Sequence, residues 1–214
     1  MASLVVPVLV ASVAGLSPDD IDRAPLWELV ALQAPFWLTL FATVVLASRR
    51  KGSGSLRRDF GLEMRGRDVL VGLVLGVLGQ VVLTLLLIPI YHLVGVDPDD
   101  AGRAAQDLAD RATDFFGWAC LFVLVVAGAP FFEEVFHRGL LLRALRARWG
   151  DAVGIVVSGV VFGLLHFEPA AFLPLSLFGM LLAWLAVRTG RLGPGIWTHV
   201  AFNLTTFVAL VASR

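Results

Sequence analysis

Apolar positions along this chain gather into runs long enough to cross a bilayer, and the polar positions fall between them. A spanning helix needs roughly 20 mostly apolar residues. Runs of that kind cover 26–47, 69–94, 115–132, 152–167, 170–187 and 195–212. The fourth and fifth are short and separated only by Glu168 and Pro169, which predicts a tight hairpin. Residues 1–15 are apolar but short and lack the basic start of a signal peptide, so they predict an interfacial segment or a further span. "SPDD" at 17–20 reads as a helix N-cap, a proline at the first helical position and an acidic first turn. The expected fold is all-α, a polytopic membrane bundle of about six to seven transmembrane helices enclosing a polar cavity. Two parts are expected: membrane segments with a basic loop over 1–114, and a core carrying the chemistry over 115–214.

Composition supports the membrane class. Hydrophobic residues make up 58% and charged residues 16%, with a mean hydropathy of +0.84, whereas soluble domains are nearer half apolar and a quarter charged. The formal net charge is zero, which leaves no basic face for phosphate contacts and argues against nucleic acid as a partner. The single cysteine, Cys120, lies within an apolar run and reads as a small buried hydrophobe.

The charges divide by side. Segments 48–68, 137–151 and 188–194 hold thirteen of the seventeen Lys and Arg residues, and they alternate along the chain as a six-span reading requires. Segments 17–25 and 95–114, Glu168 and the C-terminus hold ten of the seventeen acids. By the positive-inside rule the basic set faces the cytoplasm, placing the protein in the cytoplasmic (inner) membrane. Residues 51–55, "KGSGS", read as a flexible linker, and 95–114 as carrying a short surface helix. Gly72 with Gly76, and Gly159 with Gly163, stand four apart and suit close helix packing.

The candidate chemistry starts at "FFEEVFHRGLL", 131–141, where two carboxylates, a histidine and an arginine follow an apolar run. Ionisable groups within spans are costly and mark function. Neighbours on a helix differ by about 100°, so Glu133 and Glu134 cannot face the same space. Positions four apart share a face: Glu134 aligns with Arg138 as an ion pair, and Glu133 aligns with His137, free of the arginine. Pro130 removes a backbone donor and can kink the helix. His166 and His199 lie in separate apolar segments and are expected to join the acidic pair in one site. Phe162 shares a face with His166, and Asn203 with His199. His92, beside Tyr91 in "IYHLVG", is expected at the interface with Tyr91 as its anchor. Ser158 and Ser176 read as packing residues rather than nucleophiles.

Three motifs thus stand in order: "EEVFHR" at 133–138, "FGLLH" at 162–166 and "HVAFN" at 199–203. The pattern resembles the CPBP family of intramembrane proteases, which includes the Rce1-type CAAX prenyl endopeptidases and bacteriocin-processing or immunity proteins. The resemblance covers roughly 115–207. It implies an endopeptidase acting on membrane-anchored or lipidated peptide and protein substrates, with Glu133 and His166 activating water. It also implies that His199 and Asn203 hold the oxyanion while Glu134 and Arg138 support the structure. A carboxylate with an imidazole suits general-base attack by water, and an Asn amide with a His N–H suits a developing oxyanion.

Glu133, His166 and His199 would also form a two-histidine, one-carboxylate set adequate for zinc. They come from three segments without the His-Glu-x-x-His spacing, so water activation without metal is favoured. Two other classes stay open, a non-catalytic membrane immunity or binding protein and a transporter. The second would show paired broken helices or repeats, and the sequence has neither.

Overall fold

The computed structural model describes residues 24–214; the 1–15 segment and the 17–20 cap lie outside them. Among the described residues there is no strand. Helix α1 (Leu26–Lys51) is followed by the short α2 (Leu56–Phe60), α3 (Gly66–Val94), a 3₁₀ turn (Pro98–Gly102) and α4 (Arg103–Asp110). One helical run then covers Phe115–Leu164, composed of α5 (Phe115–Leu121), α6 (Ala129–Glu134) and α7 (Leu142–Leu164). Two π-helical stretches, Phe122–Gly128 and Val135–Leu141, join them. Helices α8 (Phe172–Thr189) and α9 (Gly193–Ala212) complete the chain. Five helical runs among the described residues are long and apolar enough to span a membrane.

The 50-residue run differs from expectation. The apolar stretch that was expected to close at 132 continues as helix, and 137–151 is not a loop. The run turns back at Gly150 (φ 78°, ψ 175°), a conformation open to glycine for want of a Cβ. Beyond the turn Gly154 lies beside Arg146, whose backbone nitrogen is 3.2 Å from where a Cβ would stand. The first arm rises about 50 Å at 1.5 Å per residue, well beyond a hydrocarbon core of roughly 30 Å. Apolar length measures the hydrocarbon, and a helix with a polar surface has no reason to stop there.

Arg143 Nη2 donates to Gly190 O at 3.4 Å, so the Gly150 turn projects past the α8–α9 turn. Nine residues separate Glu134 from Arg143 and nine separate Gly190 from His199, which brings Glu134 and His199 level.

Buried positions explain how the bundle packs. In α1, Leu26, Leu29, Gln33, Trp37, Val44 and Ser48 form one stripe, while Leu38 and Leu46 are exposed as a lipid face. In α3 the buried set is Asp68, Gly72, Gly76, Leu87 and Tyr91. A Cβ on Gly72 would stand 2.8 Å from Thr198 N, and one on Gly76 2.6 Å from Thr198 O. Gly159 and Gly163 do the same between α7 and α8, at 2.8 Å from Ser176 O and 2.7 Å from Phe172 O. Backbone contact of this kind drives helix association where lipid removes the hydrophobic incentive.

The basic end is tied shut. Leu192 N donates to Gly61 O at 2.8 Å and Gly193 N to Glu63 O at 3.1 Å. Arg191 grips Asp68 bidentately at 2.6 and 3.0 Å. The expected flexible linker at 51–55 is instead a fixed turn, because Asp59 accepts from Ser48 Oγ and from Ser53 N and Oγ. Those bonds, Ser48 first, hold the Asp59 carboxyl down to about 2. At the acidic end Tyr91 is buried and its hydroxyl donates to Ala170 O at 2.7 Å. Tyr91 therefore fastens α3 to the tip of the α7–α8 hairpin rather than acting as an interfacial anchor.

Candidate active site

Pro130 precedes the segment that carries the two glutamates. Ahead of it the helix widens into a π stretch, in which Ala129 N–H bonds Leu124 O, five residues back. In that register residue 130 would bond Val125 O, and proline has no hydrogen to give. Asn203 Nδ2 supplies the missing donor, at 2.7 Å from Val125 O. The helix continues through α6 with a change of register at this point. Such π stretches are frequent at functional sites.

Glu133 and Glu134 then diverge. Glu134 is 1% exposed, with Oε1 at 2.9 Å from Arg138 Nη1 and at 3.3 Å from His199 Nδ1. Arg138, also 1% exposed, donates through Nη2 to Gly179 O at 3.0 Å and lies 4.4 Å above the Phe162 ring. A buried carboxylate with a guanidinium partner avoids the cost of an isolated charge. Glu133 instead faces a cavity of about 840 Å³, whose lining includes His166, His199 and Asn203.

Phe162 organises the histidines. Its ring centroid lies 4.8 Å from that of His166, 5.6 Å from His199 and 5.5 Å from His137. His166 sits just past α7, its Nδ1 2.8 Å from Phe162 O. A carbonyl oxygen only accepts, so Nδ1 carries the proton and Nε2 of the neutral ring is the acceptor. Likewise His199 Nδ1 faces the Glu134 carboxylate, leaving Nε2 for the cavity. Phe167, next to His166, takes a left-handed φ of 52° at the hairpin tip. Such a value is unusual for an aromatic residue.

His137 departs from expectation. It is buried, edge-on to Phe136 and Phe162, and does not line the cavity with Glu133. The second π stretch begins at Val135, and Leu142 N–H bonds His137 O five residues back. His92 is exposed near the end of α3, outside the cavity lining. Ser158, Ser176 and Cys120 are buried in packing positions.

The zinc set weighed from sequence is not assembled: no group of three or more His, Cys, Asp or Glu among the described residues is placed to hold a metal ion. Sequence reasoning also missed Gln80, on α3, as part of the cavity wall. Its spacing from Gly76 put it on the helix face packed toward α9, which was the available signal.

Fold and site define a polytopic helical membrane protein with one glutamate, two histidines and an asparagine around a cavity between its helices. Residues 115–205 match the model of the Rce1-like family, described as type II CAAX prenyl endopeptidase Rce1-like. That stretch contains all three motifs, and over it the chain is similar to this family. No curated protein and no solved structure matches the chain.

Proposed function

We propose that the protein is an intramembrane endopeptidase that cleaves membrane-associated or lipidated peptide and protein substrates with activated water. The observation that supports this most is the convergence of Glu133, His166, His199 and Asn203, from three helical segments, on one cavity within an Rce1-like core. Glu133 takes a proton from water as the oxygen adds to the scissile carbonyl carbon. His166, with Nε2 free to accept, assists in holding that water. The carbonyl becomes an oxyanion, for which His199 Nε2, when protonated, and the second amide hydrogen of Asn203 are the donors. Glu134 orients His199 through Nδ1, while Arg138 balances Glu134. Collapse of the intermediate breaks the C–N bond, and the proton held by Glu133 passes to the leaving amine.

The Rce1-like name carries a prenylated substrate for its family; for this chain the substrate is defined only as membrane-associated. The test is cleavage of lipid-anchored reporter peptides by detergent-purified protein, lost in Glu133→Gln. A wild-type protein that binds such peptides and never cleaves them would instead favour a binding or immunity role.

A further inference from the structure

The cavity and the basic segments lie toward opposite ends of the bundle. From Glu133 and His199 the lining runs past Tyr91 and along α9 to Ser213, and includes residues of 98–106 at the acidic end. Ser213 stands fourteen residues beyond His199, about 21 Å along the helix. His166 belongs to the hairpin tip that Tyr91 fastens to the acidic end of α3. Of the lining, Asp99, Gly102, Arg103 and Gln106 at the acidic end are exposed, as are Thr84 and Ile88 on the lipid side of α3.

Toward the basic end there is packing. Beneath Glu134 and Arg138 lie Val135, Ile196, Leu192, Val44 and Phe60 in one buried cluster. Below that come the Gly61–Leu192 and Glu63–Gly193 backbone bonds and the Asp68–Arg191 pair. His199 is only six residues into α9, so the basic end is near in distance but sealed by close contacts. No residue of 48–68, 137–151 or 188–194 lines the cavity.

Twelve basic residues of those three segments remain once the buried Arg138 is set aside, and positive segments stay on the cytoplasmic side. Building on the protease reading, we infer that the site is loaded from the extracytoplasmic face. Its substrate is a bilayer-anchored polypeptide whose scissile segment lies at that face, not the carboxyl terminus of a protein lipidated on the cytoplasmic side. A cytoplasmic tail would have to thread through the 44–60–192–196 cluster and past a buried ion pair. A segment at the other face meets the exposed Asp99, Arg103 and Gln106 and then apolar walls of Leu87, Leu175 and Phe178.

Labelling tests this without relying on catalysis. Single cysteines replace Gln106 at the acidic end, Thr206 in the wall and Arg146 at the basic end, on a Cys120→Ala background. Each full-length variant is exposed to a membrane-impermeant thiol reagent in right-side-out and in inside-out vesicles. Gln106→Cys and Thr206→Cys should react in right-side-out vesicles and lose labelling in inside-out ones, and Arg146→Cys should do the reverse. Thr206→Cys reacting only in inside-out vesicles, or from neither side, overturns the inference, as does Arg146→Cys reacting in right-side-out vesicles. Outward labelling in a protein that cleaves no anchored peptide would sink the protease reading and leave the direction of access standing.

Discussion

Glu134 and His199, 65 residues apart, meet through Oε1 and Nδ1 at 3.3 Å, and the same carboxylate oxygen lies 2.9 Å from Arg138. One carboxylate therefore settles both a buried cation and the orientation of a cavity histidine, while its neighbour Glu133 is left to the cavity.

The two glutamates should separate experimentally. Glu133→Gln keeps size and polarity at a cavity wall, so expression and melting temperature in detergent should hold while turnover falls roughly a hundred- to ten-thousand-fold. Arg138→Ala strands a buried carboxylate and should cost about 3–5 kcal/mol, seen as a lowered melting temperature and poor accumulation. Normal stability with full activity in both variants would contradict the division of roles.

What could be read from sequence was local. Spans and the 164–172 hairpin follow from apolar run lengths, and the Glu134–Arg138 pair follows from a four-residue spacing that survives into the structure. What could not be read depends on distant partners or on backbone register. Asp68 and Arg191 are 123 residues apart, and no periodicity couples them. His137 was aimed at Glu133 on an α-helical count, yet it packs edge-on against Phe136 and Phe162 instead. The 51–55 turn looked flexible by composition, yet one carboxylate, Asp59, collects its serines.

Helix approach gives a steric prediction. Gly76→Val places a Cβ within 2.6 Å of Thr198 O and 2.7 Å of Phe202 N, backbone atoms that cannot swing aside. Overpacking of this kind costs about 1–3 kcal/mol, and the shift falls next to His199. Both melting temperature and turnover should drop. The same change at Gly102, where a Cβ meets nothing within 4 Å, should leave the melting temperature in place.

Asp59 predicts an acid effect. Its folded value is held at about 2 against an ordinary 3.8, so its bonds to Ser48 and Ser53 stabilise the fold at neutral pH. That contribution is complete above the unfolded value and disappears as pH falls through the folded one. The melting-temperature gap between wild type and Asp59→Asn should be constant near neutrality and narrow between about pH 4 and 2. A gap that instead widens on acidification would reverse the assigned sign.

Zinc should be absent in stoichiometric amount. A catalytic ion would need three protein donors about 2.0–2.2 Å from one point, and no such convergence is found among the described residues. Elemental analysis after mild purification decides the matter, together with activity after chelation. One zinc per chain, lost in His166→Ala and required to restore chelated enzyme, would refute this.

Pro130 and Asn203 yield the last prediction. Proline denies Val125 O its helical donor, and Asn203 Nδ2 fills the gap at 2.7 Å. Pro130→Ala removes an interior helix cost of up to about 3 kcal/mol, letting the stretch relax to α register. Ala129 N–H, now on Leu124 O, would then move to Val125 O and take the acceptor that fixes Asn203. The variant should melt at or above the wild-type temperature and still lose about a hundredfold in kcat from misplacement of the amide, with KM little changed. Asn203→Asp should lose turnover as well, since a carboxylate brings no hydrogen to Val125 O and repels an oxyanion. The proline is thus expected to trade stability for the position of one amide. A Pro130→Ala protein that is both more stable and fully active would show that Asn203 needs no such anchor.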